Sequence, residues 1–434
     1  MNTFTLQSAV AVAMVLLAPL VWSTAFKHSR VHADRLDAFL INRGSNGFVA
    51  TMAGAVAGNI GIGSFLALFL FANQAPLLAF SIAGAYTLGL VLCAVFANKI
   101  RAKSKAVNAV GLVDLIAKSH AIHSVAPIWF PVAFVFVLRS AVQLGALGFI
   151  VANVFGGSAA LTIALCALLI GSYLIFGGYR AAVQTDIFQA AMVVVVAAIC
   201  AFGLPQLDGS PKALSEFGEY KPVILIGIWL FIPWSAVLAV DNWQRITVAE
   251  TDQTARNAYY AASFVCCMVF AVMAFAGYYA PVGADMYATF NQLAPSGLGW
   301  IATAMFVACI MSSIDTFIMP LVSAAAANRA IAQVRGIIIA LVAATALTAI
   351  FFSDTLDTII AAFNSLAVFL PAAFGALYLT KPAGRAAMLS MYLGLATAVT
   401  VSTIDQNSAS LAGFVIAVFA YAITSLVGDK SQPS

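Results

Sequence analysis

Ala57-Gly58-Asn59-Ile60-Gly61-Ile62-Gly63-Ser64 interrupts an apolar run long enough to cross a membrane. Three glycines and an asparagine in eight residues weaken a helix. A bilayer offers the backbone groups of such a stretch no other partner, so irregular backbone at that depth is buried in protein or lines a cavity. The stretch therefore predicts a discontinuous membrane helix beside an ion or solute site. Close helix packing through small residues, as in GxxxG pairs, is the alternative.

The composition places this stretch in a membrane protein. Of 434 residues, 63% are hydrophobic and 8% charged, where a soluble domain carries roughly 25% charged residues. The net charge of +4 comes from the loops flanking the apolar runs, so no nucleic-acid partner is expected. Six cysteines, Cys93, Cys166, Cys200, Cys266, Cys267 and Cys309, fall in apolar segments without CxxC spacing. They indicate neither a disulfide framework nor a zinc site.

Apolar runs of about 20 residues mark spanning helices. Thirteen are predicted: 6–26, 47–73, 76–99, 125–153, 158–177, 181–203, 222–242, 256–281, 298–326, 335–353, 356–380, 385–404 and 408–428. The expected fold class is an all-α polytopic membrane protein. Seventeen of the 20 Lys and Arg residues fall in alternate loops; Lys212 and Lys221 lie opposite, and Arg139 lies within a span. By the positive-inside rule the N-terminus is expected outside and the C-terminus in the cytoplasm of a plasma (inner) membrane. The first run has no basic n-region and is followed by Lys27, His28 and Arg30, so it reads as a retained helix. The loops are short, the longest at 27–46, 100–124 and 204–221. No soluble signalling domain is therefore expected. His28, His32, His120 and His123 all lie in predicted cytoplasmic loops and no His-Glu-x-x-His occurs, so an enzyme is not expected.

Several spans carry chemistry. Unwinding near Gly58–Gly63 would strip carbonyls of their helical donors, and free carbonyl oxygens suit a hard monovalent cation such as Na⁺. Ala57 and Ile60 stand three apart on one face. The ninth span holds Cys309-Ile310-Met311-Ser312-Ser313-Ile314-Asp315-Thr316. It offers two neutral hydroxyls, with the Cys309 carbonyl on the face of Ser312; bonding of both hydroxyls back to their own helix is the alternative. A carboxylate at membrane depth costs about 2.5–3.5 kcal/mol. Asp186 in the sixth span is thus a second cation site, a proton carrier or half of a structural ion pair. Arg139 lies mid-span, and its planar fork suits a carboxylate, either of an anionic solute or of Asp186. Gln143 shares its face. Pro233-Trp234-Ser235 predicts a kink in the seventh span, which ends at Asp241-Asn242-Trp243-Gln244-Arg245 with Trp243 at the interface. Asp315 either joins a site or is solvated in the inner half. The discontinuities in spans two and seven are five helices apart and run in opposite directions, the pattern of inverted five-helix repeats.

At these residues the chain resembles the sodium:solute symporter family, the sodium–glucose and proline symporter relatives. Ala57-Gly58-Asn59-Ile60-Gly61-Ile62-Gly63 resembles the family's Ala-Ser-Asn-Ile-Gly-x-Gly. Gly177-Gly178 through Thr185, Asp186 and Gln189 resembles its Gly-Gly-x-x-Ala-Val-x-x-Thr-Asp-x-x-Gln. Met311-Ser312-Ser313 resembles its Ser-Ser pair, and Gln244-Arg245 its Gln-Arg after the sixth core helix. The resemblance implies a LeuT-type 5+5 core. It places the principal Na⁺ site at the carbonyls of Ala57, Ile60 and Cys309 and the hydroxyls of Ser312 and Ser313, and sets Asp186 near a second cation. Gly58 stands where serine is usual, and Cys309 where Ala or Ser is common. The stretch 239–243 departs from sugar-transporting members. Arginines similar to Arg139 in carboxylate-transporting branches imply an anionic or zwitterionic solute.

The expectation is a single transporter domain: 1–44 as an extra helix and loop, 45–205 and 218–380 as the two repeats, and 381–434 as two further helices and a tail. It would couple Na⁺, as coupling ion, to symport of a small carboxylate- or amino-acid-like solute by alternating access. Asn59, Ser64, Arg139, Gln143 and Trp234 are the expected solute contacts. The expected partners are a small-molecule solute and the lipid bilayer, with a monomer as the expected state. Proton-coupled symport through Asp186 and a non-transporting membrane sensor are the alternatives.

Overall fold

The computed structural model describes residues 6–25, 36–41, 44, 46–207, 209, 213–218, 220, 222, 224–295, 298–326, 329–351 and 365–427. The described chain is almost wholly helical. In order the helices are α1 (Leu6–Ala25), α2 (Leu36–Leu40), α3 (Phe48–Asn59), α4 (Ile62–Gln74), α5 (Pro76–Ala106), α6 (Leu112–Ser119), α7 (Ala126–Phe155) and α8 (Ala159–Gly203). They continue with α9 (Ile224–Val237), α10 (Val240–Val248), α11 (Asp252–Tyr279), α12 (Met286–Leu293), α13 (Gly299–Ala325) and α14 (Ile331–Phe351). After a 3₁₀ turn at Ser365–Phe369 come α15 (Leu370–Tyr378), α16 (Gly384–Ser402) and α17 (Gln406–Val427).

Eight helices among the described residues are long and apolar enough to cross a membrane, or ten when each of two bent pairs counts as one span. The thirteen predicted spans are thus an approximate count. Spans 158–177 and 181–203 run together as α8, whose 45 residues would measure about 68 Å, twice a bilayer's hydrocarbon thickness. Gly178 divides it with φ +56°, ψ −151°, a conformation essentially confined to glycine. A Cβ there would also stand 2.4 Å from the Phe39 carbonyl oxygen. Residues 356–364 of the predicted span 356–380 lie outside the described residues; residues 365–378 of it form the 3₁₀ turn and α15.

The bent pairs are α3/α4, at 54°, and α9/α10, at 45°. The first break falls at Ile60–Gly61, as the glycine-rich stretch predicts. The second corrects the sequence reading. Pro233 stays inside α9, and the chain opens at Leu238–Ala239 instead. Beyond this opening α10 is a buried half-helix and not an interfacial end: Trp243 is 0% exposed and donates to the Val237 carbonyl at 2.5 Å. Arg101 of α5 terminates α10 by donating to the Ile246 and Ala249 carbonyls at 2.8 and 2.7 Å. These are among the acceptors a helix end leaves unpaired. Asn46, just before α3, forms a parallel bridge with Ala249, just past α10, so the far ends of the two broken helices are tied together.

α13 is the central helix, with every residue of its apolar window buried, and it packs against α1, α3, α7, α8, α12 and α14. α16 and α17 pair with each other at the edge, where most of their surface remains outside the bundle. His120, between α6 and α7, helps dock this edge. Its Nε2 lies 3.0 Å from the Ala372 carbonyl, and its Nδ1 accepts from the Ala383 N–H at 3.3 Å. Only the neutral ring with its proton on Nε2 meets both partners. Burial, with Lys103 adding repulsion, lowers its pKa. A depressed imidazole pKa contributes stability that is full above the ordinary value of about 6.5 and is lost as pH falls below it. Thermal midpoints of the wild type are expected to drop between pH 7 and 5 more steeply than those of His120→Gln. Parallel curves would refute the assignment.

Candidate functional site

The break in α3/α4 is shaped by where its N–H groups go. The donors four residues on from Ala57 and Gly58 are the N–H groups of Gly61 and Ile62. Gly61 N–H donates to Ser64 Oγ at 3.2 Å, and Ile62 N–H to Gln143 Oε1 at 2.9 Å. Side chains thus take the protons that a continuous helix would give to the Ala57 and Gly58 carbonyls. Ser64 closes the turn by donating back to the Gly61 carbonyl at 2.8 Å. Gly61 is required here: a Cβ would stand 2.6 Å from Ser313 Oγ and 2.9 Å from the Gln143 amide. The break therefore presses directly on the Ser-Ser pair of α13.

Both hydroxyls of that pair are oriented. Ser313 Oγ donates to the Cys309 carbonyl at 3.0 Å, and Ser312 Oγ to Asp186 Oδ1 at 2.6 Å. Each hydroxyl has one proton and two lone pairs. With the proton directed away, the lone pairs suit a cation, and the donor set consists of neutral oxygens. Among the described residues no three His, Cys, Asp or Glu side chains come together as a metal cluster.

Beside this pair lies a charged cluster. Asp186, Asp241, Asp315 and Arg245 line one small pocket with Thr316 and Gln244. Arg245 Nη2 donates to Asp186 Oδ2 at 2.9 Å and to Thr316 Oγ1 at 2.8 Å, while Nη1 donates to Asp241 Oδ2 at 2.5 Å. Asp241 Oδ1 is buried without a hydrogen-bond partner among the described residues. Asp315 is 0% exposed and accepts from Tyr173 Oη at 2.8 Å, so it is not solvated. Sequence reasoning missed Arg245 as a member of the cluster, because its flanking position resembles a loop cation. The i, i+4 spacing of Asp241 and Arg245 on one helix face was the available signal.

Asn59 bridges the two breaks. It donates to Asn242 Oδ1 at 3.0 Å and accepts from Tyr86 Oη at 3.0 Å. Asn242, just past the second break, accepts from Tyr259 Oη at 2.9 Å. An asparagine at each break is thus met by a tyrosine from the following long helix, α5 or α11.

Arg139 is 3% exposed on α7. Its guanidinium carbon stands 4.8 Å from the Phe317 ring centre and 5.2 Å from that of Phe136, so it is flanked by aromatic faces. Asp186, offered by the sequence as its partner, is held by Arg245 and Ser312 instead. Gln143 and Ser64 are engaged in the break itself. Trp234 packs edge-on against Phe374 at 5.4 Å between ring centres.

No family model matches the chain, and no curated protein matches it. Solved structures do. A Na⁺-coupled sialic acid symporter, in a substrate-bound outward-open state that reveals a novel Na⁺ site, aligns over 99% of this chain and 100% of its own, with TM-score 0.79 at 13% identity. Mhp1, a nucleobase-cation-symport-1 family transporter with bromovinylhydantoin bound, aligns over 92% and 97%, with TM-score 0.61 at 15% identity. A manganese transporter of Eremococcus coleocola aligns over 91% and 96%, with TM-score 0.58 at 12% identity. These neighbours are transporters, not enzymes. At such identities they establish the fold alone: this chain has the LeuT-type architecture of multi-pass membrane transporters.

Proposed function

We propose that the chain is a Na⁺-coupled symporter of a small organic anion, working by alternating access. The observation that carries the reading is the break at Ile60–Gly61, where the N–H groups of Gly61 and Ile62 turn to Ser64 and Gln143 while Ser313 lies close to Gly61. Carbonyls of Ala57, Ile60 and Cys309 and hydroxyls of Ser312 and Ser313 would hold the ion. Asp186 orients Ser312 beside it. Arg139 would meet the carboxylate of the solute, with Asn59, Ser64, Gln143 and Trp234 around it. The Na⁺ coupling of the sialic acid symporter supports the choice of ion. Each net positive charge moved inward gains about 2.3 kcal/mol per 100 mV of inside-negative potential, so the potential drives uptake only when Na⁺ outnumbers the solute's negative charges. Residues 45–205 and 218–380 would be the inverted repeats, a division supported by the matched Asn59–Tyr86 and Asn242–Tyr259 sets at the two breaks. Seventeen of the 20 basic residues in alternate loops favour an outside N-terminus and a cytoplasmic C-terminus in the plasma membrane.

A proton gradient acting through Asp186 is the second reading, favoured by the three carboxylates that share a cavity with one arginine. Proteoliposomes separate the two. Uptake is expected with an inward Na⁺ gradient and not with a pH gradient in Na⁺-free buffer. Ser312→Ala/Ser313→Ala is expected to abolish the Na⁺-driven component; undiminished uptake by that variant would remove the ion assignment.

A further inference from the structure

Arg245 is unexplained by the ion ligands alone. Its side chain is buried along one face of α3, where the two residues one turn apart are both glycine. A Cβ at Gly54 would stand 2.5 Å from its Nε, and one at Gly58 would stand 2.6 Å from its Nη1. The Gly54-x-x-x-Gly58 face therefore leaves room for the Arg245 side chain, with Thr316 of α13 and Asp241 of α10 also against Gly58. From this position the guanidinium joins α10 to α8 and α13 through Asp241, Asp186 and Thr316.

We infer that Arg245 is a positioning residue for the coupling ion, acting through Asp186 on Ser312; this rests on the sodium reading above. Arg245 fixes Asp186 Oδ2 at 2.9 Å, and this turns Oδ1 toward Ser312 Oγ at 2.6 Å. Ser312 then directs its only proton at the carboxylate and presents its lone pairs to the ion. The same ion pair offsets the charge of Asp186, so the ion meets neutral oxygens and no competing carboxylate. Without the guanidinium, Asp186 rotates and the hydroxyl loses its fixed orientation. Gly58 belongs to the same device: a Cβ there would stand 2.6 Å from Arg245 Nη1, 2.8 Å from Thr316 Cγ2 and 2.9 Å from Asp241 Oδ2, so a side chain crowds the guanidinium that also holds Asp186.

Equilibrium binding of radiolabelled Na⁺ to the purified full chain tests this, with monodispersity as the check of folding. Partners that orient metal ligands change affinity about 10–100-fold when removed. Arg245→Gln and Gly58→Ala are each expected to raise the Na⁺ dissociation constant about tenfold or more. Gly58→Ala keeps every charge and covers the case in which Arg245→Gln does not fold. Arg245→Lys recovers only part of the affinity, since an ammonium lacks the rigid fork. On an Asp186→Asn background Arg245→Gln adds nothing, because its effect runs through that carboxylate. Wild-type affinity in Gly58→Ala, or additive losses in the double variant, would overturn the inference. Failure of the sodium reading looks different: the wild type then binds no Na⁺, or Ser312→Ala/Ser313→Ala binds it as tightly as the wild type.

Discussion

Arg139→Ala is expected to eliminate binding of a carboxylate solute while Na⁺ binding persists. Arg139 is 3% exposed and flanked by Phe136 and Phe317, so a carboxylate reaching it is desolvated on arrival. Truncating one partner of such a pair costs about 2–5 kcal/mol, or roughly 30- to 4,000-fold in affinity. Arg139→Lys keeps the charge but loses the planar fork and its stacking on the two rings, so it falls between. A thermal-shift screen of small acids, amino acids and sugars, each with and without Na⁺, provides the readout, because a ligand that binds only the folded state raises the midpoint. Carboxylates should stabilise the wild type, more so with Na⁺, and leave Arg139→Ala unmoved. An equal shift in the variant would take the carboxylate away from Arg139 and with it the anionic class of solute.

Gly178→Ala is expected to destabilise the fold severely, through backbone strain and a steric clash together. Its backbone conformation costs an ordinary residue about 1–3 kcal/mol. The added Cβ would stand 2.4 Å from the Phe39 carbonyl oxygen and 2.8 Å from its ring, which adds an overpacking cost of about 1–3 kcal/mol. Together these approach the whole stability of a marginal fold. The variant should lose its monodisperse peak in size-exclusion chromatography or show a midpoint many degrees lower. Gly145→Ala on α7, where a Cβ meets nothing within 4 Å, is the matched control and should behave as the wild type. A wild-type midpoint in Gly178→Ala would contradict the kink of α8 at Gly178.

The break at Ile60–Gly61 was legible because its cause is local. Glycines lower helix propensity wherever they stand, and a bilayer turns that weakness into a commitment. The second break was not legible from Pro233, because a proline can sit in a helix whose neighbours accommodate it. Gly89 does so on α5, where even a Cβ would stand 2.4 Å from the Pro233 carbonyl oxygen. The opening at Leu238–Ala239 has no glycine or proline of its own; Asn242 and Trp243 hold it by bonding back to the Ala236 and Val237 carbonyls. That is a property of side chains three-dimensionally placed, not of propensity.

Charge followed the same division. Hydropathy alone marked Arg139 and Asp186 as buried, because each interrupts an apolar run. Arg245, Asp241 and Trp243 sit where such a run ends, and a run's end reads the same whether it meets water or folds inward. By itself, then, the sequence determined a helical membrane protein, the position of its first broken helix and the residue types able to receive a cation. Only the tertiary structure decided the partners. It gave Asp186 to Arg245 and not to Arg139, closed the α3/α4 break with Gln143 from a helix 81 residues away, and enclosed Asp315 with Tyr173. The reason is range: helix propensity and hydropathy act over a few turns, whereas a buried polar group is satisfied by whichever helix packing brings to it.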